Sequence, residues 1–373
     1  MNPAPPVTRA NSTWWLTERN ALSEVRDSCI QLHVIVQWSW RHWDGPLAKL
    51  RCVLRSLVTG AAGFIGSHLC SRLLSLGEDV VGVDSFTPYY SRALKEAHLA
   101  AARQFERFRL IDSDLNDPDL DLDGLLDGVD VIYHQAGQPG VRSSWGESFE
   151  PYLQCNIRAT QRLLEAARRT VELRRFVYAS SSSVYGDAAE IPFKETTLPH
   201  PVSPYGVTKL AAEHLCTLYA KLGVPTVSLR YFTVYGPGQR PDMAFSRFIA
   251  ATLCSEPITI NGDGEQSRDF TYVEDIVAAN VSAGNRDVTP GSIYNLAGGS
   301  SATVNKVIAI LADIAGRSVP LLHVPQPDGE SRITLADISL AQDELGFQPS
   351  VALHDGLQAQ FNAAAKLTRQ HTS

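Results

Sequence analysis

The chain has 373 residues, of which 44% are hydrophobic, and a formal net charge of -7 at pH 7. That content is enough for a large buried core, either in two domains or in one large α/β domain with an appendage. The acidic balance and the absence of basic runs argue against a nucleic-acid partner, because phosphate backbones are bound by clustered Lys and Arg. An anionic small molecule held by a few arginines remains open as a ligand.

The six cysteines are scattered without a C-x-x-C pair. This spacing favours a reducing compartment over a disulfide framework or a zinc site, so we expect no metal. No apolar run reaches the roughly 18 residues that span a bilayer, and the N-terminus lacks the pattern of a secretory signal peptide. We therefore expect a cytoplasmic protein with no membrane partner.

Residues 1–52 differ in composition from the rest of the chain. Five of the six tryptophans fall in this stretch, which shows neither a helical nor a strand period. The first strand pattern begins almost immediately afterwards. We therefore expect an N-terminal extension, non-native or disordered, with the folded protein starting near Val53 or Leu54.

From residue 53 onwards, strand patterns alternate with helical ones, which is typical of a parallel sheet covered on both faces. Strands are predicted at 53–59, 79–84, 106–111, 129–134, 174–180 and 226–232. Helices are predicted at 64–76, 118–127, 148–169, 204–222, 245–254, 273–284 and 303–315. The fold expected is a Rossmann-like doubly wound sheet over 53–235, a smaller interleaved substrate-binding lobe over 236–365, and a tail over 366–373.

The run LVTGAAGFIGSHL (57–69) follows a strand and opens a helix. Its first glycine permits a tight turn, the second lets the backbone approach a pyrophosphate, and the third allows close helix packing. The free N–H groups of the helix N-terminus would face the phosphates. A glycine-rich turn without a ligand is the alternative, and the strand–turn–helix context favours a dinucleotide. The predicted cradle consists of Gly60, Gly63, Phe64, Ile65 and Gly66.

Two aspartates follow neighbouring strands on the cofactor side. Asp84 ends the second strand, 18 residues after Gly66, where its carboxylate would bind the adenosine ribose and repel a 2′-phosphate. NAD is therefore expected rather than NADP. Asp114, after the third strand, either reaches the adenine or only caps its own loop.

The segment SPYGVTK (203–209) places Tyr205 one helical turn before Lys209. On one helix face the ammonium would lie beside the phenol and lower its pKa, which would make the tyrosine a usable base. The spacing alone is too common to decide. A core aromatic and a solvated lysine are the alternative.

Together, TGAAGFIG, Asp84, SSSSVYG (180–186) and YGVTK (205–209) resemble the extended short-chain dehydrogenase/reductase family, and in particular its nucleotide-sugar epimerases. The resemblance covers roughly residues 56–360. It implies a bound NAD, a UDP-sugar substrate, and a homodimer formed through helices 148–169 and 204–222. It also implies a set of catalytic residues, of which the last two contact the cofactor as well: Ser181, Tyr205 and Lys209.

The serines at the end of the fifth predicted strand reduce the number of reactions to be expected. Related dehydratases carry an Asp-Glu pair where this chain has Ser182 and Ser183, and related decarboxylases carry a glutamate at Ser183. Without those carboxylates, the simplest complete cycle is oxidation followed by reduction from the other face, which is a 4-epimerisation. RYFTVYGPGQRPDM (230–243) and AGQPGVRSSW (136–145) resemble UDP-glucuronate 4-epimerases most. A UDP-glucose 4-epimerase, a UDP-glucuronate decarboxylase and a non-catalytic NAD-binding regulator remain alternatives.

The resemblance also implies a substrate-binding set. Hydroxyl groups would bind the sugar carboxylate, although a serine cluster at a strand end is also an ordinary polar turn. Arginines would bind the substrate, two of them at the diphosphate, although surface arginines are common. The expected residues are Ser181, Ser182, Ser183 and Thr233 for the carboxylate, Arg240 and Arg268 for the diphosphate, and Arg142. Two positions depart from the family pattern: Gln135 replaces a small residue, and Glu330 replaces a ribose-binding aspartate.

Overall fold

The alternating strands and helices assemble around one seven-stranded sheet in the computed structural model, which describes residues 53–186, 190–299, 301–325 and 332–372. The expectations for residues 1–52 and for Glu330 lie outside the described residues. Residues 366–372, expected as a tail, instead continue the last helix of the chain.

The strands in chain order are β1 (Arg55–Thr59), β2 (Asp79–Asp84), β3 (Phe108–Asp112), β4 (Val131–His134), β5 (Arg175–Ser181), β6 (Thr226–Tyr231), β7 (Val234–Tyr235), β8 (Ile258–Asn261), β9 (Ser267–Asp269), β10 (Thr271–Tyr272), β11 (Ser292–Leu296), β12 (Ser301–Thr303), β13 (Leu321–Val324) and β14 (Ile333–Thr334). The main sheet has the order β11-β6-β5-β4-β1-β2-β3, and each neighbouring pair runs parallel. The prediction of a Rossmann-like doubly wound sheet is therefore confirmed. Beyond the main sheet, the described residues form small sheets of two or three strands.

The helices are α1 (Phe64–Ser75), α2 (Arg92–His98), α3 (Leu122–Leu126), α4 (Glu150–Tyr152), α5 (Ala159–Arg169), α6 (Pro204–Ala220), α7 (Ala244–Cys254), α8 (Val273–Asn285), α9 (Val304–Ala315) and α10 (Leu353–Thr372). A π-helical turn, Leu153–Arg158, joins α4 to α5. The predicted helix at 118–127 begins only at Leu122. Asp121 caps that end, because its side chain accepts a hydrogen bond from the Gly124 N–H at 2.9 Å.

The hydrophobic core lies on both faces of the sheet. Successive strand residues belong to two different buried clusters: Leu57 and Phe176 to one, Val58 and Val177 to the other. This alternation follows from the period of two of a β-strand, and it explains why the strands read as continuous apolar runs. All residues of β5 and β6 are buried, so these two strands lie within the core.

The strand β11 was not predicted. It pairs with β6 and completes the main sheet, although it comes after the point where the sequence pattern loosens. The helix before it, α8, packs against α1 and β5. The main sheet thus receives a strand from beyond residue 236.

Candidate active site

The strand order reverses between β1 and β4, and a cavity of about 230 Å³ opens at the carboxyl ends of the strands there. Ligands of doubly wound folds bind at this switch point. One continuous wall brings together all the residues predicted to bind the cofactor, and Arg240 with them: Gly60, Gly63, Phe64, Ile65, Gly66, Asp84, Asp114, Tyr205, Lys209 and Arg240.

The geometry of the β1–α1 turn explains why each of its three glycines lacks a side chain. Gly60 has φ of +68°, and a Cβ there would lie 2.8 Å from the backbone nitrogen of Ala136. A Cβ on Gly66 would overlap the Gly60 carbonyl oxygen, and one on Gly63 would lie 3.0 Å from it. Helix α1 has no acidic residue in its first turn. Its N-terminus is therefore able to receive phosphate groups on backbone N–H donors.

Asp84 ends β2 at the cavity wall and is buried. Its two oxygens accept hydrogen bonds from the backbone N–H groups of Ala62, at 3.0 Å, and Phe86, at 2.8 Å. The ammonium of Lys95 lies 3.8 Å from the same carboxylate. Lys95 was not predicted, because nothing in the sequence of α2 distinguishes it from a surface lysine. Burial lowers its pKa from the ordinary value.

Asp114 is exposed and lines the cavity. Its Oδ1 accepts a hydrogen bond from the Asn116 N–H at 2.7 Å. The structure therefore places this side chain so that it caps its own loop and also faces the cavity.

Helix α6 carries Tyr205 and Lys209. Ser203 caps its first turn by accepting from the Gly206 N–H at 3.1 Å, and Pro204 occupies the first helical position. Both side chains face the cavity. Lys209 is buried, and its Nζ donates to the Ala179 carbonyl at 2.7 Å. Burial lowers the pKa of Lys209 to about 8.

The expectation that Lys209 lowers the pKa of Tyr205 is wrong for the protein chain alone. Burial raises the pKa of Tyr205, while a hydrogen bond from Ser181 and the charge of Arg240 act in the opposite direction. The Lys209 ammonium is held by a backbone carbonyl instead. Burial is the larger effect, so the pKa of Tyr205 in the protein chain alone lies above its ordinary value.

Asn156 is a site residue that the sequence did not reveal. It lies in the π-helical turn, where its side chain accepts from the Gln138 N–H at 2.7 Å and donates to the Gln138 carbonyl at 3.1 Å. It also donates to Thr208 Oγ1 at 3.0 Å. A Cβ on Gly137 would lie 2.9 Å from Asn156 Oδ1 and 3.4 Å from Lys209 Nζ. Asn156 thus holds the loop at 137–138 against α6.

The serine run follows β5. Ser181 caps the short 3-10 helix Ser182–Val184 by accepting from the Ser183 N–H at 3.1 Å. The cavity wall reaches this strand end at Ala179 and Ser180 rather than at residues 181–183. Thr233 is also outside that wall, and its carbonyl accepts from the Thr271 N–H at 2.9 Å. The residues predicted to bind the carboxylate are thus not among those that line the cavity, although Ser181 is close enough to Tyr205 to affect its pKa.

Arg240 is the predicted arginine that lines the cavity. Its Nε and Nη2 donate to the two carboxylate oxygens of Asp242, each at 3.0 Å. Arg142 is exposed and donates to the side-chain oxygen of Asn261 from Nη1 at 3.1 Å and Nη2 at 2.5 Å, once that amide is oriented with its oxygen towards the guanidinium.

Arg268 lies on β9. Its Nη1 donates to the backbone carbonyls of Ser267, at 2.9 Å, and Arg332, at 3.2 Å. The structure thus brings Arg240 together with Tyr205 and places Arg142 and Arg268 outside the cavity wall.

Gln135, which departs from the family pattern, lines the cavity. Its Nε2 donates to Asn280 Oδ1 at 3.0 Å, and its Oε1 accepts from the Tyr231 hydroxyl at 3.1 Å. The longer side chain is therefore accommodated by polar partners from α8 and β6.

Two other classes of site are not seen in the described part of the chain. Among these residues no group of His, Cys, Asp or Glu is arranged to hold a metal ion. None of the described helices is both long enough and apolar enough to cross a bilayer.

Comparisons with known proteins agree with this geometry. The NAD dependent epimerase/dehydratase family matches residues 56–297. A Bacillus subtilis protein described as an uncharacterized UDP-glucose epimerase, YtcB, is 47% identical over 306 residues, which cover 82% of this chain and 96% of that protein. A probable UDP-glucuronate 4-epimerase of Rhizobium meliloti is 36% identical over 327 residues, covering 82% and 95%.

Among solved structures, UDP-glucuronic acid 4-epimerase from Bacillus cereus, in complex with UDP-glucuronic acid and NAD, is similar with a TM-score of 0.81. It is 45% identical, and the match covers 84% of this chain and 100% of that one. MoeE5 in complex with UDP-glucose and NAD is 43% identical with a TM-score of 0.74, covering 86% and 100%. This chain therefore belongs to the NAD dependent epimerase/dehydratase family.

Proposed function

We propose that this chain catalyses the NAD-dependent 4-epimerisation of a UDP-sugar, with UDP-glucuronate converted to UDP-galacturonate. The observation that carries the proposal is the single cavity that runs from the glycine turn to Tyr205 and Lys209. The similar Bacillus cereus enzyme, crystallised with UDP-glucuronic acid and NAD, supports the choice of substrate and cofactor.

The residues at the cofactor end fit NAD. The turn is packed so tightly that it leaves no room for a Cβ at Gly60 or Gly66, and its glycines line the cavity where a pyrophosphate would bind. Asp84 would bind the adenosine ribose, and Asp114 would lie near the adenine. When bound, NAD supplies a positively charged acceptor for the hydride of sugar carbon 4 and returns that hydride afterwards.

Tyr205 handles the proton at the sugar 4-oxygen. Its phenolate would accept the hydroxyl proton during oxidation and return it during reduction. Burial raises the pKa of Tyr205, while Ser181 and the positive charge of Arg240 act to lower it. Lys209 lines the same cavity. Lys209, with a pKa of about 8, carries its charge at neutral pH. Turning the 4-keto sugar within the site between the two steps inverts carbon 4 without net redox change.

The substrate contacts are further proposals. The hydroxyl groups of Ser181, Ser182, Ser183 and Thr233 would bind the carboxylate, and Arg240 and Arg268 the diphosphate, with Arg142 a further substrate contact. The 4-keto form of a uronate is a β-keto acid that readily loses carbon dioxide. Fixed hydroxyl donors would hold its carboxylate away from the geometry that releases it. Arg240 is supported by its place in the cavity wall.

The test is to incubate the purified protein separately with UDP-glucuronate and UDP-glucose and to identify the products by NMR. We expect UDP-galacturonate from the first substrate. Carbon dioxide as the main product would assign a decarboxylase instead, and no turnover of either sugar would contradict an epimerase.

A UDP-glucose 4-epimerase is the second candidate. It is favoured by the description of the Bacillus subtilis relative and by the MoeE5 complex with UDP-glucose. The same experiment decides, because the substrate with the larger kcat/KM is the preferred one.

We also propose a cytoplasmic homodimer with an NAD-binding part at 53–235, a mainly substrate-binding part at 236–365, and dimer contacts through α5 and α6. Exposed apolar side chains on α6, Val207 and Leu218, support that interface. Free thiols at Cys70, Cys155, Cys216 and Cys254 support a reducing compartment. Light scattering behind a sizing column would give the mass, and a monomer would contradict the dimer.

A further inference from the structure

A buried ion pair lies behind the strand-end serines. Glu213 and Arg230 are 1% and 2% exposed, and two hydrogen bonds join them, Nη2 to Oε1 at 2.6 Å and Nε to Oε2 at 3.0 Å. Glu213 continues the spacing of Tyr205 and Lys209 on α6, four residues further along. The pair therefore connects the helix of the proposed base to β6.

Ser180, directly before residues 181–183, and Tyr185, two residues after them, are both hydrogen-bonded to this pair. Ser180 Oγ donates to Glu213 Oε2 at 2.7 Å. The hydroxyl of Tyr185 accepts from Arg230 Nη1 at 2.7 Å, and the guanidinium lies 4.7 Å from the centre of the Tyr185 ring. Residues 181–183 are thus held between two anchors that share one buried ion pair.

Tyr185 is also fixed from the other side. Its hydroxyl lies 2.7 Å from Asn295 Oδ1, and its ring stacks on Phe193 at 4.7 Å between ring centres. Asn295 in turn donates to the Phe193 carbonyl at 2.9 Å. A fully buried hydroxyl with this many partners is a rigid anchor, because each partner would be left unsatisfied if the ring moved.

We propose that Tyr185, with Ser180, is a positioning residue that fixes the serine run and so sets how often the 4-keto intermediate loses carbon dioxide. The inference rests on the proposed function, in which these serines hold the sugar carboxylate. Neither residue touches the reacting atoms in this scheme. Both act through the hydroxyl groups of residues 181–183.

Loss of carbon dioxide from the 4-keto intermediate competes with its reduction, and this step needs no other reactant than a proton. The bond between carbons 5 and 6 breaks, the carboxylate leaves as carbon dioxide, and the electron pair forms an enolate over carbons 5 and 4 and the 4-oxygen. Carbon 5 then takes a proton from solvent, which leaves a UDP-4-keto-pentose. The bond breaks readily only when it lies perpendicular to the plane of the 4-carbonyl, so a firmly held carboxylate suppresses the loss.

The test compares Tyr185→Phe and Ser180→Ala with the wild-type enzyme. Each removes one hydroxyl and keeps the buried ion pair, whereas removing Glu213 itself risks the fold. Tyr133→Phe is the matched control, because Tyr133 is fully buried and its hydroxyl has no hydrogen-bond partner among the described residues. The substrate is UDP-glucuronate labelled with ¹³C at carbon 6, and the readout is the ratio of labelled carbon dioxide to UDP-galacturonate.

We expect Tyr185→Phe to raise this ratio about tenfold over wild type. That change corresponds to ~1.4 kcal/mol in the difference between the activation free energies of decarboxylation and reduction. Ser180→Ala is expected to raise it less, and Tyr133→Phe to leave it unchanged. Melting temperatures measured alongside separate positioning from simple destabilisation. A ratio in Tyr185→Phe equal to that of Tyr133→Phe overturns the inference while the proposed function stands. A wild-type enzyme that makes no UDP-galacturonate overturns the proposed function itself.

Discussion

The two ends of the cavity are built differently. The cofactor end consists largely of backbone: a glycine turn, a helix N-terminus and an aspartate held by two backbone N–H groups. The substrate end consists of side chains from distant segments, and Arg240 there is already paired with Asp242. The cofactor end is thus preformed, whereas under the proposed function a substrate anion would compete with the Asp242 carboxylate for Arg240.

The largest expected effect concerns the backbone end. Gly60→Ala combines an unfavourable φ of +68° with a Cβ only 2.8 Å from the backbone nitrogen of Ala136. We expect NAD affinity to fall by about 10³-fold, or ~4 kcal/mol, measured by calorimetry on NAD-free protein. Gly316→Ala is the control, because Gly316 has φ of +66° and a Cβ there would meet no atom within 4 Å. Equal NAD affinity in both variants would contradict a rigid preformed cradle.

Tyr205→Phe tests the proposed base, which lies between the cofactor end and the substrate end of the cavity. The ring and its packing are kept while the proton-accepting oxygen is removed. We expect kcat to fall by on the order of 10²-fold or more, with NAD still bound. Product NMR measures turnover and absorbance of the extracted cofactor measures NAD. Unchanged turnover would remove Tyr205 as the base.

Lys209 tests the energetic consequence of a buried charge. Its pKa is lowered to about 8 in the folded protein and is about 10.4 unfolded. Below pH 8 both states are charged, so the folded state bears the full cost of burial. Between pH 8 and 10.4 the unfolded state binds more protons, so the stability of the wild-type protein rises with pH.

We therefore expect Lys209→Met to stabilise the fold at pH 7 by about 2 kcal/mol, and the gain to shrink by pH 9.5. Urea unfolding at the two pH values measures it. Lys221→Met, at an exposed residue just after the same helix, is the control. A stability difference that does not change with pH would show that the ammonium is not the cause.

The smallest expected effect concerns the substrate end. Asp242→Asn weakens the competition for Arg240, whose side chain is 19% exposed against 40% for Asp242. Because partly exposed ion pairs contribute up to about 1 kcal/mol, we expect the KM for UDP-glucuronate to fall by up to about fivefold with kcat little changed. Asp263→Asn breaks the exposed pair with Arg332 and is the control. A raised KM in Asp242→Asn would mean that Asp242 orients the arginine for substrate.

The residues predicted for the cofactor end lie together in one cavity wall, and they could be proposed from the sequence because their signals are local. Gly60, Gly63 and Gly66 lie within seven residues, and Asp84 follows the next strand, so their chemistry is visible from spacing and context. The same local reasoning failed for β11, which lies between glycines in a part of the chain where the alternation of strands and helices loosens. It also failed for Lys95 and Asn156, whose burial results from packing against distant segments.

The strand and helix patterns and the spacing of the glycines were enough to predict the parallel doubly wound sheet and the dinucleotide turn, because each depends on neighbours in the chain. The Tyr205–Lys209 pair was predicted only through the family resemblance, since its spacing alone is too common to decide. The pKa of Tyr205 depends instead on its burial, which raises it, and on Ser181 and Arg240, which act to lower it and are distant in the chain. The anchoring of the serine run likewise needs Glu213, Arg230 and Asn295 from three other elements. Desolvation and charge interactions act through space, so these properties exist only once the chain has folded.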